Sequence, residues 1–324
     1  MYNIIDGHYC LSEMRIVLLG KTGVGKSSVA NTILGKKKFQ IGHTANSETR
    51  ECRSKTGRVA RRDVTLIDTP GLFDTDRPEE ELKAEIVKCI TECSPGPHAF
   101  IIVFNVGRFT DQEQEVINQI NQYFSEEAFK YATVLFTHGE QLEEGQTIEQ
   151  YFHNNEPVRD LVKKCGGRCH VVDNNYWKKN KPYDYRCNKF QVKQLMKTIN
   201  RMIKANKGSC YTNEMLQAVE KLIQEEEEKI RQSSGNMTEK VIRGEATNRA
   251  CSRLLIILAG VATGALLGAL LGVVASSLDI GAIVLRGMIE GAFTGYDAAK
   301  EADTQSEAVE KAANAFFKDQ KKQQ

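Results

Sequence analysis

The sequence predicts an α/β fold of three layers with a mostly parallel central sheet, followed by a helical extension and a C-terminal glycine-rich hydrophobic helical hairpin. Three observations carry this. Short apolar runs such as Ala99–Val103 and Ala132–Phe136 are continuous rather than alternating, as strands covered on both faces must be. Between such runs the apolar residues fall at helical spacing. Past residue 253 the chain carries no charge from Leu254 to Leu278, and glycines recur there at every fourth position.

With 324 residues, 41% hydrophobic and 27% charged, the chain is long enough for one sizeable core plus appendages, and two units are expected. Its 44 basic and 42 acidic residues leave a net charge of +2, so no field of one sign speaks for nucleic acid, and none is expected as a partner. Nine cysteines, an odd number without the close pairs of a structural zinc site, fit reduced, cytosol-facing thiols. Cys165 and Cys169 read as packing or turn residues rather than a redox pair. Residues 1–13 form an N-terminal tail without the basic start and apolar core of a secretory signal.

The first strand runs into Gly20, after which Gly20, Lys21, Thr22, Gly23, Val24, Gly25, Lys26 and Ser27 fit the pattern G-x-x-x-x-G-K-[ST] at every fixed position, with Ser28 next. Such glycines let the backbone turn tightly and aim N–H groups at a polyphosphate, while the helix that starts near Lys26 adds its positive end. Lys26 is expected to bridge the terminal phosphates and Ser27 to offer its hydroxyl to Mg²⁺. The polar stretch Gly42–Glu48 reads as a switch-like loop. Thr49 has two readings, a ligand that completes the Mg²⁺ shell and senses the γ-phosphate, or a solvent-facing threonine.

A short apolar strand then ends in Asp68-Thr-Pro-Gly71. Asp68 at its carboxyl end can reach Mg²⁺ through water, and Gly71 can present its N–H to the γ-phosphate. Leu72 stands where many small switch GTPases carry a water-orienting glutamine, which predicts slow intrinsic turnover and a group supplied from elsewhere. Arg108 is a candidate for that group; its other reading is a surface or structural ion pair.

Glu79–Cys93 has helical spacing and closes at Ser94-Pro-Gly-Pro97; Thr110 and Glu113 have the spacing of a capping box, so a helix is expected just after Arg108. The strand Ala132–Phe136 leads into Thr137-His138-Gly139-Glu140, where common GTPases carry N-K-x-D. Glu140 can accept both the N1 and N2 protons of guanine, and the flat ring of His138 can stack on the base. His170–Val172 is the expected last strand, with Asn174 past its end at the guanine rim. An apolar helical face from Val192 to Met202 closes the domain. Trp177 and the lysines around it look like an exposed insertion loop without chemistry.

With GKTGVGKSS, DTPGLFD, SPGPHAFIIVFNVGRFT and FTHGEQL on the page, the chain resembles the GTPases of the immunity-associated protein family, GIMAP, which are septin-like and related to chloroplast outer-envelope import GTPases. The resemblance covers roughly residues 14 to 230. It implies a P-loop GTPase domain over 14–205 that binds GTP or GDP and pairs or polymerises across its nucleotide face. It also implies guanine contacts from His138, Gly139, Glu140 and Asn174, and raises Arg108 as a group acting on a neighbour's nucleotide. Ile41 and Gln141 depart from the family pattern, which often has a serine and an acidic residue there.

Residues 206–248 read as a helical extension and linker, with an amphipathic helix in Tyr211–Arg231 and the linker proper at Ser233–Thr247. The uncharged run inside 249–297 would span roughly 37 Å as one helix, more than the roughly 30 Å of a bilayer core. Its glycines, and those of a second segment at Gly287, Gly291 and Gly295, suit two closely packed helices. Arg286 and Glu290 make a full second span less favourable. The alternatives are a hairpin that enters the membrane only on activation, and a glycine-rich soluble helical pair buried against the G domain. Contact with an intracellular membrane through residues 254–296, with the G domain facing the cytosol, is the expectation, and 298–324 is a polar helical tail. The function expected is a nucleotide-controlled, membrane-attached switch or scaffold. Alternatives are a membrane-remodelling GTPase activated in trans, or a binding module with negligible turnover.

Overall fold

A computed structural model describes residues 3–5, 8–10, 13–41, 51–60, 62–73, 78–174, 176–177, 181, 183–233, 237–258 and 263–272. The elements in chain order are β1 (Asn3–Ile5), β2 (His8–Cys10), β3 (Glu13–Leu19), α1 (Lys26–Leu34), β4 (Arg53–Val59), β5 (Arg62–Asp68), α2 (Glu79–Cys93), β6 (Ala99–Asn105), α3 (Asp111–Tyr123), α4 (Glu126–Lys130) and β7 (Ala132–Thr137). A 3-10 turn at Gly139–Gln141 follows, then α5 (Ile148–Tyr151), α6 (Glu156–Lys164), β8 (Cys169–Val171), α7 (Asn188–Ala205), α8 (Glu214–Ser233), α9 (Glu239–Ile257) and α10 (Thr263–Leu271). Two compact units result, 1–77 with 96–211 and 78–95 with 212–324.

In the first unit six strands form one sheet in the order β4-β5-β3-β6-β7-β8, parallel throughout except for β4, which pairs antiparallel with β5. Alternation along each strand sorts the core onto two faces. Met14, Ile16 and Leu18 of β3 share one cluster with Ile101 and Val103 of β6, Val29 and Ile33 of α1, and Leu195 and Ile199 of α7. The intervening residues point the other way. There Phe100 meets Phe124 at the end of α3 edge to face, and Phe136 stacks on Phe152 beyond α5. The mostly parallel α/β fold is thus as the sequence predicts.

Two polar ties hold β3 to β6. The Arg15 N–H donates to His98 Nδ1 at 3.0 Å, and the His98 N–H donates to the Arg15 carbonyl at 2.8 Å. Burial, with a smaller contribution from the Arg15 charge, lowers His98 to about 3, so its ring stays neutral and accepting. Gly96 has φ +155, and a methyl there would fall 1.8 Å from the Tyr211 carbonyl oxygen, so only glycine lets the chain pass.

The second unit is helical. α8 and α9 pair, α10 packs on α2 and α8, and α2 also meets α9. Arg253 and Glu226 form an ion pair at 2.6 Å with both side chains buried, and Arg243 reaches Glu220 at 2.6 Å and Glu227 at 3.2 Å. The linker expected at 233–247 is corrected here: from Glu239 onward it is α9, whose buried Ile242, Ala246 and Ala250 recur every four residues. Small alanines amid polar residues hid that stripe. The single helix expected from Leu254 to Leu278 is also corrected, because α9 ends at Ile257 and a separate helix begins at Thr263. Leu266, Leu267, Leu270 and Leu271 of α10 are buried. Among the described residues no helix is long and apolar enough to cross a membrane. The remainder of the expected hairpin and the polar tail lie outside the described residues.

Candidate functional site

β5 and β6 flank β3 on opposite sides, so the strand order reverses at β3 and leaves a crevice beyond its carboxyl end. The glycine-rich loop fills that position. Gly20 follows β3 with φ +145, and a methyl on it would sit 2.5 Å from the Val103 carbonyl oxygen. Gly25 caps α1 in the left-handed region, φ 88 and ψ 25, with no side chain accepting from the first turn, which leaves the helix N–H groups of Lys26, Ser27 and Ser28 to the crevice. Thr137 at the end of β7 donates its hydroxyl to the Val24 carbonyl at 2.9 Å and fixes the loop's far side.

Lys26 is buried, and its Nζ donates to the carbonyls of Gly20 and Lys21, each at 2.8 Å. The Lys21 ammonium itself bonds to Gln112 of α3. Ser27 Oγ donates to Asp68 Oδ2 at 2.6 Å, so two residues expected to ligand a metal from separate motifs meet. Asp68 is 1% exposed, and its Oδ1 has no partner among the described residues. Burial raises its carboxyl above the ordinary range, against the Ser27 hydrogen bond and the charges of Lys26 and Arg53. An unpartnered carboxylate oxygen beside a serine hydroxyl is the hard oxygen donor set that Mg²⁺ takes, so these residues fit the ion. Among the described residues no cluster of three or more His, Cys, Asp or Glu side chains could hold a metal. Thr49 lies outside the described residues.

Gly71 is buried past β5, and Leu72 beside it is 1% exposed, a packed core residue. Arg108 is exposed, and it makes no hydrogen bond or ion pair among the described residues. The loop that carries it is clamped by Tyr151, whose hydroxyl accepts from the Gly107 N–H at 2.9 Å and donates to the Gly107 carbonyl.

At the opposite end, His138 sits in the left-handed region at φ 58 and ψ 42, a conformation that costs a non-glycine residue about 1 kcal/mol. The following Gly139 N–H bonds to the Val172 carbonyl at 3.1 Å. His138 Nδ1 lies 3.0 Å from Glu140 Oε1, while Glu140 Oε2 is buried without a hydrogen-bond partner among the described residues. Burial, then the neighbouring Asp173 carboxyl, raises Glu140. Asn174 lies against the phosphate loop: a methyl on Gly25 would be 3.1 Å from its Nδ2, and its Oδ1 accepts from Thr32 at 3.3 Å.

Trp177 overturns its reading as exposed loop. It is 3% exposed, while its neighbour Tyr176 is 70% exposed, and its ring covers Gly139. Sequence reasoning also missed Asp173, though its place directly after the last strand marked it. Cys165 and Cys169 are both pushed up to about 12 by burial, so they stay protonated, as packing residues do.

The crevice position, the glycine-built turn and the Lys26–Ser27–Asp68 cluster define an α/β phosphate-loop domain. Residues 14–233 match the AIG1 family, and the chain belongs to it. Among relatives, it is 30% identical over 258 residues to Immune-associated nucleotide-binding protein 7 of Arabidopsis thaliana, covering 78% of this chain and 79% of that protein. It is 34% identical to Immune-associated nucleotide-binding protein 10 of the same plant over 74% of this chain, which spans only 49% of that relative's length. Of solved structures, Toc33 from Arabidopsis thaliana in complex with GDP and Mg²⁺ is similar at a TM-score of 0.46 and 17% identity, over 59% of this chain and 84% of that one.

Proposed function

We propose that this chain binds GTP and GDP with Mg²⁺ in the glycine-built cradle, hydrolyses GTP slowly, and acts as a nucleotide-controlled switch or scaffold that pairs through its G domain. The observation that carries the reading is the Ser27–Asp68 contact beside buried Lys26, with Asp68 Oδ1 left without a partner. Relatives named as nucleotide-binding proteins support it.

On this reading Lys26 exchanges its two loop carbonyls for oxygens of the terminal phosphates. The N–H groups from Gly20 to Ser28 close around the phosphates, and the Gly71 N–H meets the last of them. Ser27 and Asp68 would hold Mg²⁺, Asp68 through water, with Thr49 as the further ligand the sequence suggests. The ion, when bound, neutralises charge on the phosphate oxygens. Glu140 takes the N1 and N2 protons of guanine while His138, Gly139 and Asn174 line the base. Leu72 offers no polar group to an attacking water, so turnover depends on a donor from another copy, and exposed Arg108 is that donor. Residues 254–296 attach the chain to an intracellular membrane with the G domain in the cytosol. The uncharged run from Leu254 to Leu278 and the glycine spacing support this, and the buried leucines of α10 make release on activation part of the proposal. Leu72 also favours a second reading, a nucleotide-stabilised binding module with negligible turnover.

Calorimetry on the full chain with Mg²⁺ tests the assignment. Heat is expected with GTP and GDP but not ATP, and no heat with either guanine nucleotide ends the proposal. Single-turnover hydrolysis that rises with protein concentration, and that Arg108→Ala flattens, supports the donor in trans; a flat, near-zero rate leaves the binding module.

A further inference from the structure

Within the first unit, Trp177, Tyr185, Arg186 and Asn188 back the base-end turn from behind. A methyl on Gly139 would fall 2.6 Å from Trp177 Cη2, 2.8 Å from Cζ2 and 3.0 Å from Cζ3, so the six-membered half of the indole lies against the glycine with no room for a side chain. The indole is itself held. Its ring meets Tyr185 edge to face at 6.3 Å, the Tyr185 hydroxyl accepts from the Ile148 N–H at 2.9 Å, and the Trp177 carbonyl accepts from the Asn188 N–H at 3.2 Å. Arg186 donates to the carbonyls of Leu142 and Glu143 at 2.7 and 2.6 Å, so the far side of the same turn is tied to the same segment.

This backing has a consequence for Glu140, one residue on. A carboxylate reads the amine-bearing edge of a purine only if its two oxygens face N1 and N2 together, and the direction of a side chain on a tight turn follows the turn's backbone. His138 is in an unfavourable backbone region, so the turn relaxes unless neighbours hold it. The indole is the largest of them, and it is the chain's single tryptophan.

We propose that Trp177 is a positioning residue for base selection: by seating Gly139 it aims Glu140 at the exocyclic amine of guanine and so sets the preference for guanine over purines that lack this amine. The proposal rests on the guanine-nucleotide reading above.

The test compares GDP with inosine diphosphate, which keeps N1–H and lacks the amine, by calorimetry with Mg²⁺ on the full-length chain. The wild type should prefer GDP by tenfold or more. In Trp177→Ala the preference should collapse to within about twofold, chiefly by loss of GDP affinity, while inosine diphosphate binds within about threefold of wild type. Trp177→Phe, which keeps a ring but withdraws it from Gly139, should fall between, and it decides the matter if the alanine variant does not fold. Gly139→Ala should lose selectivity alone and regain part of it when combined with Trp177→Ala. Both affinities falling together at a constant ratio in the folded variants would mean a merely structural role and overturn the proposal, as would a wild type that binds the two diphosphates equally. A wild type that binds neither diphosphate instead removes the guanine reading itself.

Discussion

The phosphate end and the base end of the cradle are assembled by different means. At the phosphate end the geometry resides in the backbone: Gly20 and Gly25 at positive φ, the first turn of α1, and one lysine folded onto loop carbonyls. At the base end a strained His138 and a packed Gly139 are held by an indole that arrives from nearly forty residues further along the chain. A backbone site leaves its signature in residue type and spacing, because only glycine takes those conformations. A site held by packing leaves almost none, since many large side chains could back the turn.

The largest expected effect separates the two ends outright. Lys26→Ala should weaken GTP by about 100-fold or more, near 3 kcal/mol, by removing the charged donor to the phosphates, with selectivity for guanine intact among the residual binding. Titration calorimetry with guanine and inosine nucleotides reads both quantities. Next comes Gly20→Ala, which drives a methyl to 2.5 Å from the Val103 carbonyl; a loss of about 2 kcal/mol in stability, seen as a lower Tm, should accompany weaker phosphate binding. If Gly20→Ala leaves the Tm unchanged, the loop is not held by the strand beneath it.

At the base end, Glu140→Gln should cost GDP about tenfold, near 1.4 kcal/mol, and leave inorganic triphosphate binding unchanged. Burial and Asp173 raise the Glu140 carboxyl, so a falling pH protonates it early and removes the acceptor guanine needs. GDP affinity should therefore weaken as pH falls in the wild type, starting above the range of an ordinary glutamate, and stay flatter in Glu140→Gln. The smallest effect touches both ends through the sheet. His98 is held at about 3 and His170 at about 4, both below their ordinary 6.5, so the unfolded chain binds protons that the folded one refuses. Their contribution is complete above pH 6.5 and is lost as pH falls from there toward 4 and 3. Between pH 7.5 and 6 the loss is roughly 1 kcal/mol per histidine or less, and melting curves at the two values measure it.

The same contrast explains what could be read in advance. The five parallel strands, the loop, the strand-end Asp68 and the capping box at Thr110 were legible because period, glycine spacing and cap chemistry are local. Trp177 was not, since a tryptophan among lysines and next to an exposed tyrosine looks like surface until Gly139 is seen beneath it. α9 was missed for a related reason: Ala246 and Ala250 bury little area each, and Gly244 with its polar neighbours mimics a linker.

The division of the chain assigns residues 78–95, taken from the middle of the first unit's sequence, to the helical unit. A version ending at Tyr211 would keep the whole cradle yet strip α2 of α8, α9 and α10, uncovering the face of α2 that they cover, a face it cannot shed. The helices after the cradle are thus no detachable module. Gene shuffling that traded them would have to supply a matching partner for α2 at the same stroke, and proteolysis in this region should yield sticky, short-lived fragments rather than a tidy core.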